Sequence, residues 1–197
     1  MKTKNKHLYS MVITAVLLAI GLLLPFLTGQ MQTIGKFISP LHIPVLICGL
    51  CCGWQWGLGL GIILPIMRGL IFGMPPFPVV ALPMAFELGA YGAITGLLYP
   101  VCIRFFSAKC KVKNHIPAIY ASLIIAMICG RFIGGAAKWL FISIGVIGSK
   151  DPYTFAAFFT SYFVDTAIGA VIHLVIVPAV VIAVEKARLS PMCSNFD

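Results

Sequence analysis

Apolar residues in this chain come in long runs separated by short breaks. They neither alternate nor form a narrow stripe. The runs cover about 8–29, 41–53, 55–72, 79–106, 116–147 and 154–185. Gly and Pro clusters punctuate them, as at Thr28-Gly29-Gln30, Cys52-Gly53 and Gly73-Met74-Pro75-Pro76. A membrane-crossing helix needs about 20 mostly apolar residues, and most of the runs reach that length. The second is the shortest. The fifth is too long for one straight crossing, and its Gly134-Gly135 pair predicts a kink or a bent end. Barrel strands alternate in polarity, so long unbroken runs exclude a transmembrane β-barrel. The first run follows Lys2, Lys4 and Lys6, as a secretory signal would, but no small-x-small cleavage site follows it. It reads as a retained helix. The pattern predicts an all-α integral membrane protein, a single domain over 1–197 with six transmembrane helices.

Composition sharpens this reading. The chain has 197 residues, 60% of them hydrophobic and 10% charged, and its mean hydropathy is +1.04. A soluble domain carries roughly 25% charged residues, so a soluble, disordered or nucleic-acid-binding chain is excluded. The net charge of +9 is concentrated at helix-end segments rather than spread over a binding face. With the N-terminus inside, Lys2, Lys4, Lys6, Arg104, Lys109, Lys111, Lys113, Lys186 and Arg188 fall on the cytoplasmic side. Only Lys36 and Lys150 fall outside. Cytoplasmic loops carry the excess of Lys and Arg, so both termini are predicted to be cytoplasmic and the protein to lie in the bacterial plasma membrane. Seven cysteines are present, but adjacent Cys51-Cys52 lacks the spacing of a metal pair. They read as small apolar fillers, and no metal or cofactor is expected.

Lipid does not explain five charges inside the runs: Arg68, Glu87, Arg131, Lys138 and Asp165. A charge at the bilayer centre costs about 2.5–3.5 kcal/mol on insertion scales, so such groups face a cavity, the bundle interior or one another. Counting 1.5 Å per residue puts Glu87 and Asp165 roughly 12–17 Å below the outer helix ends. Lys138 lies at similar depth, with Arg131 two turns further in on the same face. One reading is that the cations only neutralise the anions. The other is a pocket open to the outside. Gln30, Gln32, Lys36, Ser39 and His42 would border it from the first outer loop, and Pro75, Pro76 and Pro78 from the second. Lys150, Asp151 and Tyr153 would form the third outer loop. Tyr91 and Trp139 could stack on a planar ligand, whereas His173 reads as a core hydrogen-bonder. Gln30, His42, Arg68, Glu87, Tyr91, Lys138, Trp139 and Asp165 are therefore the candidate substrate-binding residues.

Small residues recur four apart at Ala15/Ala19, Gly57/Gly61, Gly89/Ala93 and Gly130/Gly134, a spacing that lets helix backbones approach closely. The glycine-containing pairs read as internal packing. Ala15 and Ala19 lie on the first helix, which carries no buried charge, and read as a face for an external partner. The chain lacks a G-x₄-G-K-[ST] phosphate loop, H-E-x-x-H and G-x-S-x-G. It also lacks a clear inverted repeat, so energy for uphill transport must come from another subunit.

These features resemble the substrate-binding S components of energy-coupling factor (ECF) vitamin transporters. The resemblance rests on six helices with both ends inside, the Ala15/Ala19 pair, and the stretches LLLPFLTGQ (22–30), SPLHIPVLICGLCCGWQWGL (39–58), PIMRGLIFGMPPFP (65–78) and MAFELGAYG (84–92). Its nearest branch takes up dimethylbenzimidazole or its riboside, α-ribazole, precursors of the cobalamin lower ligand. An S component for pantothenate or another vitamin is the alternative, and three buried cations against two anions, if all line the pocket, favour an anionic ligand such as pantothenate. The resemblance implies a high-affinity binding subunit that is not an enzyme. It implies a transmembrane T subunit and two ABC-type ATPases as partners, with Ala15 and Ala19 as the T-subunit docking face. A small intramembrane enzyme using Glu87, Asp165 or His173 is the alternative of another class, and the sequence supplies no nucleophile–base constellation for it.

Overall fold

The computed structural model describes residues 3–27, 39–110, 115–147 and 154–187, and among them every regular element is helical. The helices are α1 (Thr3–Leu27), α2 (His42–Cys52), α3 (Trp54–Phe72), α4 (Ala81–Cys110), α5 (Ile116–Ser143), α6 (Phe155–Phe159) and α7 (Ala167–Lys186). A π-helical turn, Thr160–Val164, separates the last two. Five segments are long and apolar enough to cross a membrane, with α6, the π turn and α7 counting together as one. At about 1.5 Å per residue, α2 is too short to span about 30 Å by itself. It is also the most enclosed helix, with Val45, Leu46, Cys48 and Leu50 fully buried. A short helix that is apolar on all sides belongs inside a bundle rather than against lipid.

Gly53, at φ 97°, joins α2 to α3, a conformation that glycine adopts without steric cost. The chain reverses there, so that Gly57 packs on Gly49. A Cβ built on Gly57 would lie 2.8 Å from the Gly49 Cα and 2.6 Å from the Gly92 carbonyl oxygen. Gly92 answers on α4, where a Cβ would overlap the Gly57 carbonyl. The glycine-containing small-residue pairs are thus internal seams. Helices in lipid associate by close van der Waals packing, and these seams provide it.

α4 packs against α2, α3 and α5, while α7 packs on α2 and α5. α1 rests on α2 and α3. Alternating helix directions bring the ends of α1, α3 and α5, the start of α4 and the 155–166 stretch to one end of the bundle. Towards the other end, Leu46, Leu50, Tyr99, Ile119, Leu123, Val177 and Val181 pack without exposed surface and close the interior. α5 runs unbroken through Gly134-Gly135 and stops at Ser143, where Gly145 at φ 76° turns the chain. The two glycines admit neighbours. A Cβ on Gly134 would press on Glu87 and Tyr162, and one on Gly135 would overlap Phe158.

Candidate functional site: a polar cavity at one end of the bundle

Between the helix ends lies a cavity of about 480 Å³, within the usual range for small-molecule pockets. Pro25, Pro40, Leu41, Met74, Pro75, Pro76, Val79, Val80, Pro83 and Met84 form its apolar wall. The polar wall comes from α2, α4, α5, α7 and the π turn: His42, Glu87, Tyr91, Arg131, Lys138, Ser161, Tyr162, Asp165, Thr166 and His173. Arg68 borders it from α3 and Ser39 from the residues before α2.

Tyr91 follows Glu87 by one helical turn, and its hydroxyl donates to Glu87 Oε1 at 2.8 Å. His42 approaches the same oxygen through Nε2 at 3.7 Å, and its ring tilts over Tyr91 with centroids 5.1 Å apart. On the far side His42 stacks on His173 at 5.4 Å. Tyr91 from α4 and His42 from the start of α2 thus converge on one carboxylate, with His173 of α7 behind His42.

The two arginines are held by backbone oxygens and aromatic faces. Arg68, 4% exposed, donates from Nη1 to the Leu22 carbonyl at 2.8 Å and lies 5.5 Å from the Phe72 ring centroid. That bond ties α3 to the end of α1. Arg131 donates from Nη2 to the Thr166 carbonyl at 3.3 Å and lies 5.5 Å from the Phe163 centroid. Carbonyl dipoles and ring faces stabilise a guanidinium without cancelling its charge. The π turn shapes the opposite wall. Asp165 N–H bonds to the Thr160 carbonyl at 3.0 Å, five residues back, and the Thr166 hydroxyl donates to the Tyr162 carbonyl at 2.7 Å. This wider turn keeps Ser161, Tyr162, Asp165 and Thr166 together on the cavity.

Six of the eight residues singled out from the sequence border this cavity: His42, Arg68, Glu87, Tyr91, Lys138 and Asp165. Trp139 does not, being 59% exposed. Neighbouring helical positions point about 100° apart, so Lys138 facing inward turns Trp139 outward. Gln30, with Gln32, Lys36, Lys150, Asp151 and Tyr153, lies outside the described residues. Arg131 belongs beside Lys138, as its seven-residue spacing already signalled. Ser161, Tyr162 and Thr166 carried only the weaker signal of helical spacing around Asp165. His173 is both a hydrogen-bonder, to the Ser39 carbonyl at 3.2 Å, and part of the cavity wall. Among the described residues no group of three His, Cys, Asp or Glu side chains is placed to hold a metal ion.

The family described as "ECF transporter, substrate-specific component" matches residues 9–181. The chain belongs to this family. It is a transport-specific binding subunit and not an enzyme, which removes the intramembrane-enzyme alternative. This S component is a multi-pass plasma membrane protein, and membership implies association with T and ATPase subunits and a small-molecule substrate. No curated protein and no solved structure matches the chain.

Proposed function

We propose that this S component captures a cobalamin lower-ligand precursor, dimethylbenzimidazole or α-ribazole, in the cavity at the end of the bundle. The carrying observation is the cavity's two-sided chemistry: proline, methionine and valine on one wall, and His42, Glu87, Tyr91 and Asp165 among the polar groups on the other. A flat, largely apolar bicycle suits the first wall and ribose hydroxyls suit the second. At about 480 Å³ the space is commensurate with a heterocycle carrying a pentose, more than a heterocycle alone needs. His42, Arg68, Glu87, Tyr91, Lys138 and Asp165 are the substrate-facing groups in this reading, and Gln30 completes the proposed set.

Six passes of the chain, five through long helices and one through the short, enclosed α2, with cytoplasmic termini complete the proposal. The helix directions put Lys6, Arg104 and Lys186 at the end away from the cavity, so the positive-inside bias makes that end cytoplasmic and opens the cavity outward. Ala15 and Ala19, both exposed on α1, then form the docking face for the T subunit, which works with two ABC-type ATPases. Pantothenate is the second reading. Arg68, Arg131 and Lys138 outnumber Glu87 and Asp165 on the cavity, which favours an anion. Calorimetric titration of the purified protein with α-ribazole, dimethylbenzimidazole and pantothenate, alongside mass spectrometry of any co-purifying molecule, tests the assignment. Tight binding of α-ribazole or dimethylbenzimidazole is expected. Tight binding of pantothenate alone overturns it.

A further inference from the structure

Three N–H groups converge on the carbonyl oxygen of Ser39. The His42 backbone N–H donates at 3.1 Å, His42 Nδ1 is 3.1 Å away, and His173 Nε2, 134 residues downstream, is 3.2 Å away. A carbonyl oxygen only accepts, so both ring nitrogens that contact it carry hydrogen. Each ring therefore carries hydrogen on the nitrogen that faces Ser39, Nδ1 in His42 and Nε2 in His173. The arrangement is tightly enclosed: Ser39, His42 and His173 are all buried, and the two rings stack within 19° of parallel. Ser39 itself sits at φ 47°, the one non-glycine residue in the left-handed region among those described. Such a conformation persists only where its surroundings over-determine it, and the convergence on its carbonyl does so.

The consequence lies on the other edge of the His42 ring. Nε2 faces Glu87 Oε1 at 3.7 Å, beyond hydrogen-bond range, and that oxygen already takes the Tyr91 hydroxyl. We propose that His173 is a positioning residue that, through the shared Ser39 carbonyl, locks His42 in the Nδ1–H form and so turns a bare Nε2 lone pair toward the cavity. A group that bonds to His42 from the cavity must then be an N–H or O–H donor. Beside it, Glu87 supplies a second acceptor. The inference rests on the proposed function only in treating the cavity as the ligand site.

Long-range ¹H–¹⁵N spectra of the full chain in detergent, labelled with ¹⁵N-histidine and assigned by single histidine substitutions, test it without any ligand. His42 is expected as Nδ1–H with an unprotonated Nε2, and His173 as Nε2–H. An Nε2–H or doubly protonated His42 overturns the proposal. In H173F, the Nδ1–H population of His42 should fall. H173Q, whose amide nitrogen occupies nearly the place of Nε2, should restore it. An unchanged His42 spectrum in H173F also overturns the proposal. Should Phe prevent folding, H173N, whose amide falls short of Ser39, replaces it under the same criterion. Titration with α-ribazole adds a second readout, with affinity at least tenfold weaker in H173F and largely recovered in H173Q. If α-ribazole does not bind the wild-type protein, the substrate assignment falls, while the spectra still decide the histidine lock.

Discussion

Glu87 is the carboxylate on which the polar wall converges, taking the Tyr91 hydroxyl and facing His42. Hydrogen bonds to charged groups contribute about 1.5–3 kcal/mol, and 1.4 kcal/mol is about tenfold in affinity. Glu87→Gln keeps the shape and removes the charge. It should weaken α-ribazole binding about tenfold or more in calorimetry while leaving expression and membrane insertion intact; unaltered affinity would make Glu87 a structural group. Ser39 makes a different kind of demand, because its φ of 47° is costly for a side chain branched at Cβ. Ser39→Gly should leave the melting temperature unchanged or raise it. Ser39→Val should lower stability by about 1–3 kcal/mol, read as a shift in thermal unfolding in detergent. The buried charges were legible one by one, because charge inside an apolar run is conspicuous. Their partners were not. Arg68 reaches a carbonyl 46 residues away on α1, a contact that no local pattern encodes.

Helix pairing rests on two devices, bare glycine seams and a few buried polar bonds. The α3–α4 seam at Gly57 and Gly92 brings backbone against backbone, so Gly92→Val has no flexible side chain to push aside. That substitution should cost more than about 3 kcal/mol or prevent recovery of folded protein, as fluorescence size-exclusion in detergent would show. At the end away from the cavity, the fully buried Tyr99 donates to Glu185 Oε1, and His115 Nδ1 lies 4.0 Å from the other carboxylate oxygen. One carboxylate therefore joins α4, the start of α5 and the end of α7. Tyr99→Phe should destabilise by about 1.5–3 kcal/mol without changing ligand affinity, since it lies outside the cavity wall. A thermal shift as small as that of an exposed-site control would refute this. Four-residue spacing of small residues was readable in advance. Which helices the seams would join was not, and neither was the π turn, because i to i+5 bonding leaves no distinctive residue pattern.

α1 is the least integrated of the long helices. Its inner side packs through Leu17 and Gly21, the latter against Leu64. Its outer side presents Met11, Val12, Val16, Ile20 and Leu23 around the exposed Ala15 and Ala19. Side chains this small leave a shallow groove among larger neighbours, the shape that lets a second helix come close. Replacing both alanines with Trp should abolish uptake by cells carrying the complete transporter while leaving ligand affinity of the isolated protein nearly unchanged. Loss of affinity as well would place these residues in the fold rather than at an interface.

Hydrophobicity acts locally, so membrane residence and helical class could be read from the chain: any stretch of that length and polarity must satisfy its backbone internally. The five charges that lipid would reject all border the cavity, for the same reason. Contacts between distant segments decided the rest. The enclosure of α2, the seating of Arg68 and Arg131 on backbone carbonyls, the outward turn of Trp139 and the meeting of His42 and His173 at Ser39 all depend on how helices pack, and packing is a property of pairs of surfaces rather than of any one run of residues.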